Sequence, residues 1–217
     1  MKPKNIFLIR HGESAANSNI SALSNKADWK IELSDKGTNQ ASEAGKALIK
    51  TTGDVPVRIY CSPLVRTRLT AAEIMNHYST AGYREDPRLR EQDWGNYYYD
   101  NQKFDLVERA KFGKFYYRFP DGESCADVYD RISLFLESLW RDFNDEDFPE
   151  NIIIVTHGMA LRIFLMRWFH YEVEYFDRIA NPKNCEIVNI SLNEEANKYE
   201  LTTMLRMHPN VQFEDFE

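Results

Sequence analysis

An ionisable ring at the end of a buried strand is a costly arrangement, and this chain carries the pattern for it twice. The apolar run Asn5-Ile6-Phe7-Leu8-Ile9 leads directly into Arg10-His11-Gly12-Glu13-Ser14, and far along the chain Asn151-Ile152-Ile153-Ile154-Val155 leads into Thr156-His157-Gly158. Each run is short, partly or wholly β-branched and followed by glycine, which reads as a buried strand ending in a tight turn. A third run, Val57-Arg58-Ile59-Tyr60-Cys61, continues into Ser62-Pro63-Leu64-Val65-Arg66-Thr67. There Ser62 suits a helix N-cap and Pro63 the first helical position, which puts Arg66 near the start of that helix. In open α/β sheets ligands bind at the carboxyl ends of the strands, the edge to which Arg10, His11, Arg66 and His157 are delivered.

Between the strands lie helical stretches. Ser34 predicts a cap for a helix through about Lys50, and Leu64, Ala71, Met75 and Tyr78 follow helical spacing. Ser124 with Asp127 forms a capping-box pattern, after which Val128, Ile132, Phe135, Leu139 and Phe143 mark one face of a long amphipathic helix. Met159 to Phe169 is apolar nearly all round and predicts a buried helix, while Glu186–Leu192 and Tyr199–Leu205 predict strands at or near a sheet edge. No repeat, low-complexity tract or linker interrupts the 217 residues, so a single domain over 1–217 is the simplest organisation.

The net charge of −7 argues against a broad electrostatic grip on nucleic acid, although a small anion needs only a local positive pocket such as Arg10 and Arg66 would form. No apolar run is long enough to cross a bilayer and no signal-peptide cleavage pattern follows Met1-Lys2-Pro3-Lys4, so a cytoplasmic location and no membrane partner are expected. Cys61, Cys125 and Cys185 are odd in number and widely spaced, the usage of reduced structural thiols. His11 and His157 lack the local spacing of metal ligands, and His77, His170 and His208 have no chemistry-bearing context, so no metal and no cofactor are expected. Oligomeric state leaves no signature in the sequence.

Taken together, these segments resemble the histidine phosphatase superfamily, which includes cofactor-dependent phosphoglycerate mutases and fructose-2,6-bisphosphatases. The resemblance is carried in order by Arg10-His11-Gly12-Glu13-Ser14 with Asn17, by Leu33 to Ala41, by Ser62 to Thr67 with Thr70-Ala71, and by Thr156-His157-Gly158. Leu89-Arg90-Glu91-Gln92-Asp93-Trp94-Gly95 is similar to the family's acidic motif, and Gly122-Glu123-Ser124 to its turn before a long helix. It implies a three-layer α/β/α sandwich with a mostly parallel central sheet. A helical, aromatic cap insertion is implied at about 94–121, where Tyr97-Tyr98-Tyr99, Phe104, Phe112, Phe115, Tyr116 and Tyr117 are concentrated.

The chemistry implied by the resemblance is a double displacement on a small phosphorylated substrate. His11 is the expected nucleophile, Arg10 and Arg66 the phosphate-binding cations, and His157 a phosphate-contacting donor rather than a second nucleophile. Asn17 and the helix start at Gly158 are further expected phosphate contacts. Glu91 is the expected proton donor to the leaving group, with Asp93 the competing carboxyl from sequence alone; a transferred phosphate beside it would favour the protonated form. Glu13 and Ser14 suit loop hydrogen bonding equally well. Departures from the mutases are Met159 where they carry asparagine, Trp94 where they carry tyrosine, Ala16 where they carry tryptophan, and no paired arginines among Lys111 to Arg118, for which Arg118 alone is a partial substitute. These departures favour water as the acceptor. A metal-independent phosphomonoesterase acting through phosphohistidine is therefore expected, with a phosphoglycerate mutase and a non-catalytic phospho-ligand binding protein as the alternatives.

Overall fold

The computed structural model describes residues 2–18, 26–95 and 102–208. Its centre is a six-stranded sheet made of β1 (Asn5–Arg10), β2 (Val57–Cys61), β3 (Ala81–Glu85), β4 (Asn151–Thr156), β5 (Ile187–Asn193) and β6 (Lys198–Leu201), in the order β3-β2-β4-β1-β5-β6. The first four strands pair in parallel, and β5 and β6 add antiparallel to one side. Tyr199 and its neighbours thus form the edge strand that the alternation predicted, one residue earlier at its start and shorter at its end.

Because successive side chains of a strand point to opposite faces, β1 and β4 are apolar on both. Ile6, Leu8, Ile152 and Ile154 face one layer, built from α5 (Cys125–Asp142) and α6 (Gly158–Phe169). Phe7, Ile9, Ile153 and Val155 face the other, where they meet Leu48 of α2 (Asp35–Thr52) and Ala71 and Ile74 of α3 (Val65–Met75). Two helical layers over a buried, mostly parallel sheet give the three-layer α/β/α sandwich. Among the described residues the remaining α-helices are the short α1 (Ala15–Ser18), α4 (Gln102–Phe112) and α7 (Val173–Arg178).

Caps fall mostly where the sequence placed them. The Ser34 hydroxyl accepts the Gly37 N–H at the start of α2. Ser124 and Asp127 make a full capping box at the start of α5, whose residues Val128, Ile132, Phe135 and Leu139, together with the C-cap Phe143, are all buried. The expected cap at Ser62 is not formed: α3 begins at Val65 with Leu64 as N-cap. Thr67 instead donates its hydroxyl to the Ser62 and Leu64 carbonyls, and the Ser62 hydroxyl is engaged by His157. Tyr78 lies beyond the end of α3, buried, with its hydroxyl hydrogen-bonded to Thr52.

Candidate active site

Register brings the two histidines together. In the β1–β4 ladder Arg10 is opposite Thr156, and the ladder continues one step further through the His11 N–H to the Thr156 carbonyl, 2.9 Å. His11 and His157 therefore stand side by side beyond the strand ends, with ring centroids 5.2 Å apart in an edge-on arrangement. On the other side of β4 the Ser62 N–H continues the β2 ladder to the Val155 carbonyl, 3.0 Å. Ser62, His157 and His11 thus form a row across three adjacent strand ends.

Both imidazoles are buried, His11 with 4% and His157 with 0% of its surface exposed. His11 Nδ1 is 2.7 Å from the Gly12 carbonyl oxygen, which can only accept, so Nδ1 carries the proton and Nε2 keeps its lone pair. Burial holds the His11 ring well below its usual pKa, and the positive charges of Arg66 and then Arg10 add to the effect. Desolvation is the largest of these causes. His157 is lowered for the same reasons, by burial first, then Arg66 and His11. Its Nε2 is 2.8 Å from the Ser62 hydroxyl, and its buried Nδ1 has no hydrogen-bond partner among the described residues.

Arg10, the last residue of β1, donates Nη1 to the Pro182 carbonyl at 2.9 Å, and its buried Nε has no hydrogen-bond partner among the described residues. Arg66, on the first turn of α3, is likewise buried and donates through Nη1 and Nη2 to the two Asp28 carboxylate oxygens at 3.1 and 3.2 Å. Asp28 itself is largely exposed, so this pair sits at the boundary between pocket and solvent.

Glu91 reaches the same place from a different direction. Its Oε1 accepts the Ala160 and Gln92 N–H groups, at 3.1 and 3.0 Å, and its Oε2 accepts the Met159 N–H at 3.2 Å. Gly158 does begin a helix, and the N–H groups of Met159 and Ala160 in its first turn are taken by the Glu91 carboxyl group. The Asp93 carboxylate accepts the Gly95 N–H, and the Asp93 backbone pairs with Glu123. The peptide that carries Glu91 is held by Arg131 of α5, a residue that sequence reasoning missed. Arg131 donates Nη1 to the carbonyls of Arg88 (2.6 Å) and Arg90 (2.8 Å), Nη2 to that of Glu91 (3.0 Å), and Nε and Nη2 to the two carboxylate oxygens of Glu123.

The loop after β1 is packed backbone on backbone. A Cβ at Gly12 would collide with the Gly37 carbonyl, and one at Gly37 with the Glu13 carbonyl. Glu13 serves the loop, accepting from Ser34 and pairing with Lys36. Asn17 is exposed; its Oδ1 accepts from the Ser14 N–H, the Ser14 hydroxyl and Asn184, and Asn184 also donates to the His11 carbonyl at 3.0 Å. Arg118 does not enter the pocket: it pairs with Asp127 and the Gly122 carbonyl at the start of α5. Met159 is buried with its sulfur toward Arg162.

A cleft of about 420 Å³ opens beside Glu91 and Arg66, walled by Asp28, Trp29, Leu64 and Trp94. In the aromatic stretch Phe115 and Phe119 are buried, with Trp94 stacked on Phe119, whereas Phe112 and Tyr116 are exposed. Tyr97, Tyr98, Tyr99 and the Phe104 side chain lie outside the described residues. Among the described residues no three His, Cys, Asp or Glu side chains are grouped to hold a metal ion, and no helix is long and apolar enough to cross a membrane.

Comparison with known proteins places this geometry in a family. The profile of the histidine phosphatase superfamily (branch 1) matches residues 6–204. Phosphoglycerate mutase-like protein AT74 of Arabidopsis thaliana is 44% identical over 208 residues, 88% of this chain and 66% of its own length. Broad-range acid phosphatase DET1 of Saccharomyces cerevisiae is 43% identical over 126 residues, 56% of this chain and 38% of its own. The chain thus spans two thirds or less of the length of these relatives. Among solved structures, a mycobacterial glucosyl-3-phosphoglycerate phosphatase shares the fold with a TM-score of 0.71 at 20% identity, over 94% of this chain and 99% of that one. With a profile match over nearly its whole length and a relative at this level of identity, the chain belongs to the histidine phosphatase superfamily.

Proposed function

We propose that the chain is a metal-independent phosphomonoester hydrolase that works through a phosphohistidine on His11. The observation that carries this reading is the state of the His11 ring: buried, held neutral, and with its proton fixed on Nδ1 by the Gly12 carbonyl, so that Nε2 offers a lone pair beside two arginines. The phosphatase names among its relatives support the same reaction class.

In the first step the Nε2 lone pair forms a bond to phosphorus while the bond from phosphorus to the ester oxygen breaks. Glu91 gives the departing oxygen a proton and becomes a carboxylate. In the second step that carboxylate takes a proton from water as the water oxygen attacks phosphorus, and the P–N bond breaks to release phosphate and restore His11. Arg10, Arg66 and His157 stabilise charge on the transferring oxygens, and Asn17 offers its amide nitrogen at the pocket mouth. Water rather than a second phosphorylated molecule is the acceptor, because Met159 brings a thioether, turned toward Arg162, where a mutase offers an amide. The substrate is a small phosphate ester whose alcohol part occupies the cleft between Trp29 and Trp94.

The test is phosphate release from p-nitrophenyl phosphate, sugar phosphates, nucleotides and phosphoglycerates in EDTA, with His11→Ala as control, and alkaline quench of a radiolabelled turnover mixture. Release that survives EDTA and vanishes in His11→Ala, with an acid-labile and base-stable label on the wild-type protein, is expected. Substantial release by His11→Ala removes His11 as nucleophile. Loss of release in EDTA removes metal independence.

A further inference from the structure

The Ser62 hydroxyl is completely buried and, among the described residues, has one hydrogen-bond partner, His157 Nε2 at 2.8 Å. A hydroxyl has one hydrogen to place, and a buried donor left without an acceptor costs about 1–3 kcal/mol. If Nε2 carried a hydrogen, it would point at the Ser62 oxygen, and the hydroxyl hydrogen would have nowhere to go. Satisfaction requires the reverse: Ser62 donates and Nε2 accepts. A neutral imidazole has a single N–H, so it must then lie on Nδ1, the buried nitrogen that has no hydrogen-bond partner among the described residues.

We propose that Ser62 is a positioning residue that fixes His157 as its Nδ1–H tautomer, so that an uncharged ring remains a hydrogen-bond donor to the phosphoryl group. His157 is uncharged because burial, Arg66, His11, Arg131 and Arg10 all oppose its protonation. A neutral ring of the opposite tautomer would aim a lone pair at an anion. The neighbouring ring is set the other way: a carbonyl beside His11 Nδ1 leaves Nε2 free to attack. One acceptor and one donor, placed on two histidines 5.2 Å apart, thus separate the roles of nucleophile and donor. The tautomer assignment stands on geometry alone; its catalytic consequence rests on the phosphatase reading.

The experiment is long-range ¹H–¹⁵N correlation spectroscopy of the intact chain with ¹⁵N-labelled histidine, the His157 signals being identified by their absence in His157→Asn. Protonated Nδ1 and unprotonated Nε2 are expected in the wild type, and a proton on Nε2 overturns the assignment. Ser62→Ala should lose the single tautomer, lower kcat by about 10²-fold with little change in KM, and weaken vanadate binding in step. Ser62→Thr, which keeps the hydroxyl, should hold the tautomer and recover most of kcat. Retention of the tautomer in Ser62→Ala, or equal losses in both variants, overturns the role of the hydroxyl. A wild type that releases phosphate with its proton on Nε2 overturns this inference alone. One with the proton on Nδ1 and no phosphate release upholds the assignment and overturns the phosphatase reading.

Discussion

Arg10 and Thr156 are register partners in neighbouring parallel strands, and this single pairing sets His11 and His157 edge to face beyond the sheet. Neither strand can shift alone, since a one-residue slip would turn every buried side chain of β1 or β4 to the wrong layer. The separation of the two rings is therefore fixed by the core rather than by the loops that carry them. Rigid strand ends suit a site in which reacting groups must be held close to their working positions.

Two histidines buried in neutral form make stability depend on pH in a calculable direction. Both have folded pKa values well below 6.5, so at mildly acid pH the unfolded chain binds protons that the folded chain does not. Stability is then full above the unfolded pKa and falls as pH drops through it toward the folded values. Urea unfolding between about pH 7 and pH 5 should show this decline, and His11→Gln should reduce its slope. A slope that is unchanged in His11→Gln would sink the assignment of the decline to these rings. Over the same range the wild type should keep its nucleophile, so kcat/KM, corrected for titration of the substrate phosphate, should show no loss near pH 6.5.

Gly12→Ala tests how tightly the nucleophile loop is held. The new Cβ would meet the Gly37 carbonyl, which is backbone pressed in turn against Glu13, so no side chain can swing away to relieve it. Overpacking of this kind costs about 1–3 kcal/mol. It would also move the Gly12 carbonyl that orients His11, and the Gly12 N–H that donates to Thr70 at 3.0 Å. A lowered melting temperature together with a fall in kcat is expected. An alanine variant that melts and turns over as the wild type does would show that the two loops are free to separate.

Much of this arrangement is legible before folding because it rests on local signals. The short, partly β-branched run from Ile6 to Ile9, followed by glycine, reads as a buried strand, and Ser124 with Asp127 reads as a helix start. What escapes is the choice between partners that exist only after strands pair. The Ser62 hydroxyl has an apparent local use as a helix cap, but β2 beside β4 presents it with His157, and the helix starts three residues later. Arg131 reads as one more charge on an amphipathic helix. Its role depends on three carbonyls of the 88–91 segment and a carboxylate from the 122–124 turn, none of which is near it in helical spacing. Asn184, which holds the His11 carbonyl from the far end of the chain, gives no signal at all in the sequence.

Glu91→Gln separates the proton donor from the charge-stabilising groups. Glutamine keeps the size of the side chain and can still accept N–H groups at the start of α6, but has no proton to give. Esters of poor alkoxide leaving groups should slow by about 10²-fold or more, and p-nitrophenyl phosphate far less, since its leaving group departs without a proton. Equal slowing of both substrates would take Glu91 out of the acid role, and the same comparison with Asp93→Asn should show little effect on either.

Arg131→Lys asks whether the clamp behind Glu91 matters to the reaction or only to the fold. Lysine keeps a positive charge beside Glu123, so that carboxylate is not left unpaired, but its ammonium cannot reproduce a planar fork that serves three carbonyls and two carboxylate oxygens together. The Glu91 peptide would lose its fixed position while the helix and core stay intact. Activity on alkyl phosphates should therefore fall while p-nitrophenyl phosphate turnover is nearly kept, the same leaving-group pattern as in Glu91→Gln. In the double variant the losses on alkyl phosphates should not multiply, because both changes disable one group. A uniform loss on all substrates, accompanied by a lower melting temperature, would mean that Arg131 holds the 88–91 segment for stability and leaves the proton transfer untouched.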